Sequence, residues 1–278
     1  MTIGPRWRWV LRQIRNLIIG LVIVVAVLWW FENRLVYFPE NDPRDWHEPA
    51  ELSKQDVTCT TTDGTPIHAW WCPKTDSEGA ILYAHGNGGN LSLRWEIYRD
   101  LQRQHNLSVL AFDYPGFGRS GGKPSESGCY AAAESALNWL TTQGKVPAER
   151  VVFFGESLGG GVVVDLATRH PCRALVLYST FTSAPDVGQD RLPFLPVQLL
   201  MSNRFDNISK ISKIDKPVFF SHGDADTLIP IQFARRLYEA VSGPKMMQID
   251  PGRGHDLNLT PGFHSALRDF LKQHPPVE

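Results

Sequence analysis

The chain opens on basic and aromatic positions and then turns apolar without interruption. Arg6, Arg8, Arg12 and Arg15 precede any acidic residue, and Leu17 to Phe31 follows as fifteen residues without a charge. Beyond residue 50 the pattern changes. Short apolar runs of strand length alternate with longer stretches whose apolar positions return at helical spacing. Asp56 to Thr61 and Ile67 to Cys72 read as a β-hairpin about Asp63-Gly64. Ala80 to Ala84, Ser108 to Phe112, Val151 to Phe154, Ala174 to Tyr178, Pro217 to Ser221 and Lys245 to Ile249 read as further strands. Helices are predicted over Leu91 to Gln104, Glu126 to Thr142, from Ser157 to Arg169, over Ile231 to Val241 and over Phe263 to Gln273. This alternation predicts an α/β fold, a doubly wound, mostly parallel sheet with helices on both faces. Residues 179–213 break the rhythm. They are rich in Pro and Leu, read as irregular, and are long enough for a small lid but not for a cap domain.

The first apolar run admits three readings. A spanning helix usually needs about 17–25 apolar residues, so fifteen is short. Arg15 can snorkel and Asn16 can sit at the interface, which lengthens the usable stretch, and Trp29, Trp30 and Phe31 resemble an aromatic belt. A cleaved signal peptide would share the basic start, but no small-x-small site follows the core. A buried helix of a soluble domain is the third reading, and an arginine cluster beside it would be unusual. The expectation is an uncleaved anchor. Residues 1–33 form a basic start and transmembrane helix, 34–50 a proline-bearing connector, and 51–278 the main domain with its lid at about 179–213. The positive-inside rule then places residues 1–15 in the cytoplasm and the main domain on the other side.

Composition narrows the possible partners. The 278 residues carry 28 basic and 29 acidic side chains, a formal net charge of −1, so no feature points to nucleic acid. Cys59, Cys72, Cys129 and Cys172 have neither metal-type spacing nor a C-x-x-C pair, and a turn at Asp63-Gly64 sets Cys59 near His68 rather than Cys72. Sequons occur at Asn90, Asn106, Asn207 and Asn258. Two of them adjoin candidate active-site segments, so they read as unused.

Candidate chemistry gathers just after predicted strands, where open α/β sheets bind ligands. Gly155-Glu156-Ser157-Leu158-Gly159 is a G-x-S-x-G run between a strand and a helix, a turn that pushes a serine hydroxyl into a cleft. Taken alone, Ser157 could equally be a helix-capping serine. Gly118-Arg119-Ser120-Gly121-Gly122 matches the same pattern, but no helix starts on Ser120. His222-Gly223-Asp224-Ala225-Asp226 follows another strand, and either aspartate could orient an imidazole. Gly252-Arg253-Gly254-His255 offers that imidazole as a general base. His85-Gly86-Asn87-Gly88-Gly89-Asn90 exposes backbone N–H groups able to stabilise an oxyanion, with the N–H of Leu158 as a second donor. Serine, acid and histidine, each after its own strand and in that order, form one coherent triad layout.

These segments together resemble the α/β-hydrolases, and within them the serine hydrolases with a single N-terminal span and a small lid. The likeness also takes in Leu35-Val36-Tyr37-Phe38-Pro39 and Asp113-Tyr114-Pro115-Gly116-Phe117-Gly118-Arg119-Ser120, and so covers nearly the whole chain. Pro115 departs from it, standing where many relatives carry arginine. The resemblance selects Asp226 over Asp224 as the triad acid, gives Asn87 an oxyanion N–H, and makes Asp113 and Ser120 structural. It implies two-step acyl transfer on a carboxylic ester or thioester, with Ser157, Asp226 and His255 catalytic and no metal or organic cofactor, and a catalytic domain tethered at a membrane adds lipid or acylated substrates to small-molecule ones. The alternatives are a peptidase or amidase with the same triad, and a non-catalytic membrane-anchored binding protein.

Overall fold

A computed structural model describes residues 4–256 and 258–276. The first three residues of the basic start, Leu257 and the last two residues of the main domain therefore lie outside the description. Eight strands form the sheet: β1 (Gln55–Thr60), β2 (Pro66–Cys72), β3 (Ala80–Ala84), β4 (Ser108–Phe112), β5 (Val151–Glu156), β6 (Ala174–Tyr178), β7 (Val218–Gly223) and β8 (Lys245–Asp250). Their order across the sheet is β8-β7-β6-β5-β3-β4-β2-β1. β2 runs antiparallel to both its neighbours, β1 and β4, and the remaining pairs, β4 to β3 and onward to β8, are parallel. In β3 to β7 every residue is buried, which is why these strands read as unbroken apolar runs instead of alternating ones.

The two faces pack separate cores. Leu82, Phe153, Leu175 and Phe220 meet α3 (Glu126–Thr142), α4 (Leu158–Ala167) and α8 (Gln232–Ala240) on one side. Ile81, Phe154, Val176 and Phe219 meet α2 (Trp95–His105) and α9 (Pro261–Gln273) on the other. Odd and even strand positions thus supply different cores, as a period of two requires. The four cysteines are free and buried, and Cys59 pairs in register with Ile67, beside His68. Asn90 and Asn207 are fully buried, so in the folded protein neither can carry a glycan.

Between α2 and α9, His105 Nε2 lies 3.0 Å from His264 Nδ1. Burial first, then the charges of His264 and Arg268, push the His105 imidazole down to about 3. From about pH 6.5 down to about 3 the unfolded chain therefore binds a proton that the folded chain refuses, and stability falls as pH falls through that window. His105→Gln is expected to flatten the dependence of unfolding free energy on pH between about 4 and 6, by up to roughly 1.4 kcal/mol per pH unit. Denaturant titrations at stepped pH measure it.

The N-terminal helix α1 (Pro5–Val36) is longer than its apolar run, at 32 residues. It is the one helix among the described residues that is long and apolar enough to cross a membrane. Its last turns do not behave as a free connector. Glu32 is buried, and its carboxylate accepts hydrogen bonds from Ser202 N at 2.9 Å, Asn203 N at 2.7 Å, Asn203 Nδ2 at 2.9 Å and the Ser202 hydroxyl. Tyr37 donates to Asn203 Oδ1 at 2.7 Å. The helix end is thereby fixed to residues 179–213. That segment, expected to be irregular, holds three short helices: α5 (Ala184–Arg191), α6 (Val197–Leu200) and α7 (Asn207–Ile211). Ser183 caps α5 by accepting from Asp186 N, with Pro185 in its first turn, and Asp206 caps α7.

Candidate active site

The candidate residues converge at the carboxyl ends of the parallel strands. β5 lies in the middle of the sheet, with Gly155 in register with Ala84 of β3 and Leu177 of β6. The chain then turns sharply into α4. Ser157 sits at the turn with φ 51° and ψ −113°, a sparsely populated combination for a residue with a side chain. Its backbone is tied on both sides: Ser157 N donates to Tyr178 O at 2.8 Å, and the Thr180 hydroxyl donates to Ser157 O at 2.9 Å. The turn closes because Gly159 has no side chain. A Cβ there would overlap the backbone carbonyl oxygen of Ala84. Gly159→Ala is expected to cost about 1–3 kcal/mol or more, seen as a lower melting temperature.

The Ser157 hydroxyl makes no capping bond to α4. It lies instead 3.2 Å from His255 Nε2, in the loop after β8. His255 Nδ1 lies 2.7 Å from Asp226 Oδ2, in the loop after β7. Asp226 Oδ1 accepts from Leu228 N and Ile229 N, both at 2.8 Å. Burial alone would push the Asp226 carboxyl up. The hydrogen bonds of His222, His255 and Ile229 outweigh burial and hold it well below the usual carboxylate range. A permanent carboxylate on Nδ1 fixes the Nδ1–H tautomer, which leaves Nε2 free to accept the Ser157 proton. Asp224 is engaged elsewhere, accepting from Gly252 N at 2.6 Å.

The loop after β3 closes the site. Phe38–Pro39 pairs in parallel with Gly88–Gly89, with Phe38 N donating to Asn87 O at 2.9 Å. Asn87 Nδ2 donates to Val36 O at 2.9 Å. Leu158 opens α4, so no carbonyl four residues earlier serves its N–H. The N–H of Asn87 has no protein acceptor among the described residues. Both groups border the cavity that holds Ser157.

Three residues without a role in the sequence reading support this arrangement. Glu156, inside the G-x-S-x-G run, is fully buried and pairs with Arg94 at 3.3 Å, while the Tyr83 hydroxyl donates to it at 2.7 Å. Burial pushes the Glu156 carboxyl up, but the Arg94 charge and these hydrogen bonds hold it below its ordinary value. Arg94 also donates to Asn90 O at 3.2 Å, and so braces the loop that carries Asn87. His222 is fully buried, donates through Nε2 to Ile229 O at 2.7 Å, and lies 3.2 Å from Asp226 Oδ2. The spacing of His222 and Asp226, four residues apart, was visible in the sequence. The Arg94–Glu156 pair, 62 residues apart, was not. Ser120 is remote from this chemistry: its hydroxyl accepts from His68 N at 2.9 Å. Asp113, fully buried, accepts from Leu91 N at 2.8 Å.

Residues 79–207 match the family model described as alpha/beta hydrolase fold. The chain belongs to the α/β-hydrolase superfamily. Its relatives include the uncharacterized protein Rv2307c of Mycobacterium tuberculosis, 38% identical with 90% of each chain covered. The uncharacterized protein YfhR of Escherichia coli K12 is 33% identical, with 79% of this chain and 78% of that one covered. Among solved structures, the Pyrococcus furiosus esterase Pf2001 superposes with a TM-score of 0.68 at 20% identity, covering 86% of this chain and 98% of the esterase. At that identity the likeness is one of α/β-hydrolase fold.

Proposed function

We propose that this α/β-hydrolase is a serine hydrolase that cleaves carboxylic ester or thioester bonds through an acyl-enzyme intermediate. The observation that carries the reading is the unbroken series from Ser157 Oγ through His255 to Asp226, at 3.2 and 2.7 Å. His255 Nε2 takes the hydroxyl proton as Oγ attacks the carbonyl carbon, and Asp226 stabilises the imidazolium that forms. The N–H groups of Asn87 and Leu158 receive the oxyanion. His255 then returns the proton to the departing alcohol or thiol. Water, deprotonated by the same imidazole, releases the acid and restores Ser157.

The membrane reading belongs to the same proposal. α1 is an uncleaved anchor, with residues 1–15 in the cytoplasm and the catalytic domain on the other side. The docking of Glu32 supports retention of the helix, because removal of residues 1–33 would leave the Ser202 and Asn203 donors without their shared acceptor. A fluorophosphonate probe applied to the full-length protein, followed by peptide mapping, tests the nucleophile. Labelling is expected at Ser157, and labelling elsewhere or not at all overturns it. Turnover of p-nitrophenyl esters against aminoacyl anilides decides between an esterase and an amidase.

A further inference from the structure

Two cavities of different character meet at Ser157. One is apolar, walled by Leu35, Val36, Leu158, Phe181, Val187 and Met201 among others. The other, the polar cleft, gathers Glu40, Arg94, Glu156 and His255 beside Gly86 to Gly89, with Leu93 and Leu228 adding apolar wall. Asn87, Ser157 and Leu228 border both, but His255 borders the polar cleft and not the apolar cavity. Proton bookkeeping then orients a substrate. When the tetrahedral intermediate collapses, the bond to the leaving oxygen breaks and His255 Nε2 gives that oxygen its proton. The leaving group must lie on the His255 side, and the acyl chain is directed to the opposite, apolar side.

The apolar cavity shares Leu35, Val36, Gly188 and Met201 with a second apolar cavity, which lies between α1 and the lid and is also lined by Leu192, Leu195, Val197 and Leu200. The two measure about 210 and about 230 Å³. Each falls below the roughly 300 Å³ at which ligand pockets begin, and joined they reach it. The slot has one wall on α1 and the other on the lid, and Glu32 locks those walls together by accepting from four donor groups. Leu35 lies four to six residues beyond Trp29, Trp30 and Phe31, within about 10 Å of them at 1.5 Å per residue. The lid that walls the slot carries Phe194 at 98% and Leu199 at 86% exposure, large apolar side chains with no protein cover.

We infer that this slot is the acyl-chain subsite, that it takes a single fatty-acyl chain directly from the bilayer beside α1, and that the polar cleft takes the alcohol portion. The substrate class is thus a fatty-acyl ester of a polar alcohol, resident in the membrane. This rests on the proposed roles of Ser157 and α1. The slot follows the anchoring helix out of the apolar phase, which makes lipid its occupant in preference to a second protein chain.

The test uses the full-length protein in lipid vesicles and an alkyl fluorophosphonate with a ten-carbon chain and a terminal diazirine. After reaction at Ser157 and illumination, crosslinks are expected in α1 and in residues 188–201. Crosslinks at Leu93, Arg94 or Glu40 would place the chain in the polar cleft and overturn the assignment while leaving the nucleophile intact. Failure to react at Ser157 overturns the hydrolase reading and the slot with it. In parallel, Leu35→Trp, at an exposed position that tolerates bulk, is expected to lower the ratio of kcat/KM for p-nitrophenyl decanoate over the acetate at least tenfold. An unchanged ratio, with crosslinks outside the slot, would sink the proposal. Equal rates on vesicle-embedded and detergent-dispersed decanoyl ester would remove delivery from the bilayer.

Discussion

Ser157→Ala is expected to lower kcat on p-nitrophenyl esters by about 10⁶-fold, equivalent to about 8 kcal/mol of lost transition-state stabilisation. The protein should remain folded, with an unchanged melting temperature. The two effects separate because of what the hydroxyl touches. Its partner in the structure is His255 Nε2 at 3.2 Å, and it caps no helix N–H. Removing it leaves an imidazole nitrogen that water can reach, since the His255 side chain is 17% exposed. The backbone bonds of Ser157, to Tyr178 O and from the Thr180 hydroxyl, do not involve Oγ. Alanine also keeps a Cβ at φ 51°, so the strain at the turn is the same in both proteins. Residual turnover near the wild-type rate would exclude Ser157 as the nucleophile. Loss of folding along with activity would instead give the hydroxyl a structural role that its contacts do not account for.

The strands were legible because burial on both faces leaves a local trace. Ala80–Ala84 and Ala174–Tyr178 are apolar at every position and bounded by turn residues, and they form where the pattern puts them. The positions of Ser157, Asp226 and His255 were legible for a related reason. Each follows a strand end, and in a parallel sheet the strand ends meet along one edge. The resemblance was still needed to choose Asp226 over Asp224. What the structure adds is that β7 and the loop after it turn Asp226 inward, while Asp224 points to the backbone of Gly252.

Tertiary contacts account for what the sequence did not disclose. The end of α1 is set by Glu32 and by Asn33, which donates to Pro124 O at 3.2 Å, both over separations that no local pattern encodes. An apolar-run reading stops at Phe31 because charge begins there, yet the helix continues because that charge is satisfied inside the protein. The lid helices were hidden differently. Ser183-Ala184-Pro185-Asp186 is a helix start in plain view, outweighed by the prolines at 193 and 196 that follow it. Arg94 and Glu156 carried no local sign, since a buried ion pair is visible only once the turn ahead of α2 meets the end of β5.

Asp226→Asn is expected to reduce kcat by about 10⁴-fold while leaving labelling geometry and fold nearly intact. Asparagine has the same shape and its Oδ1 can still accept from Leu228 N and Ile229 N, the two bonds that hold the loop. The loss falls on the other oxygen. Asp226 Oδ2 now accepts from His255 Nδ1 at 2.7 Å and lies 3.2 Å from His222 Nε2. An amide NH₂ in its place is a donor, so it favours the His255 tautomer with the proton on Nε2, which cannot accept from Ser157. It also removes the negative charge that stabilises the imidazolium. Hydroxide then competes as an external base, so the residual activity should climb with pH where the wild type is flat. Asp224→Asn is the control. Among the described residues, the Asp224 side chain accepts from the Gly252 N–H near the surface and touches no triad member, so its activity should stay within a few-fold of wild type. If the two variants instead lost activity equally, Asp226 would no longer be distinguished as the residue that orients His255.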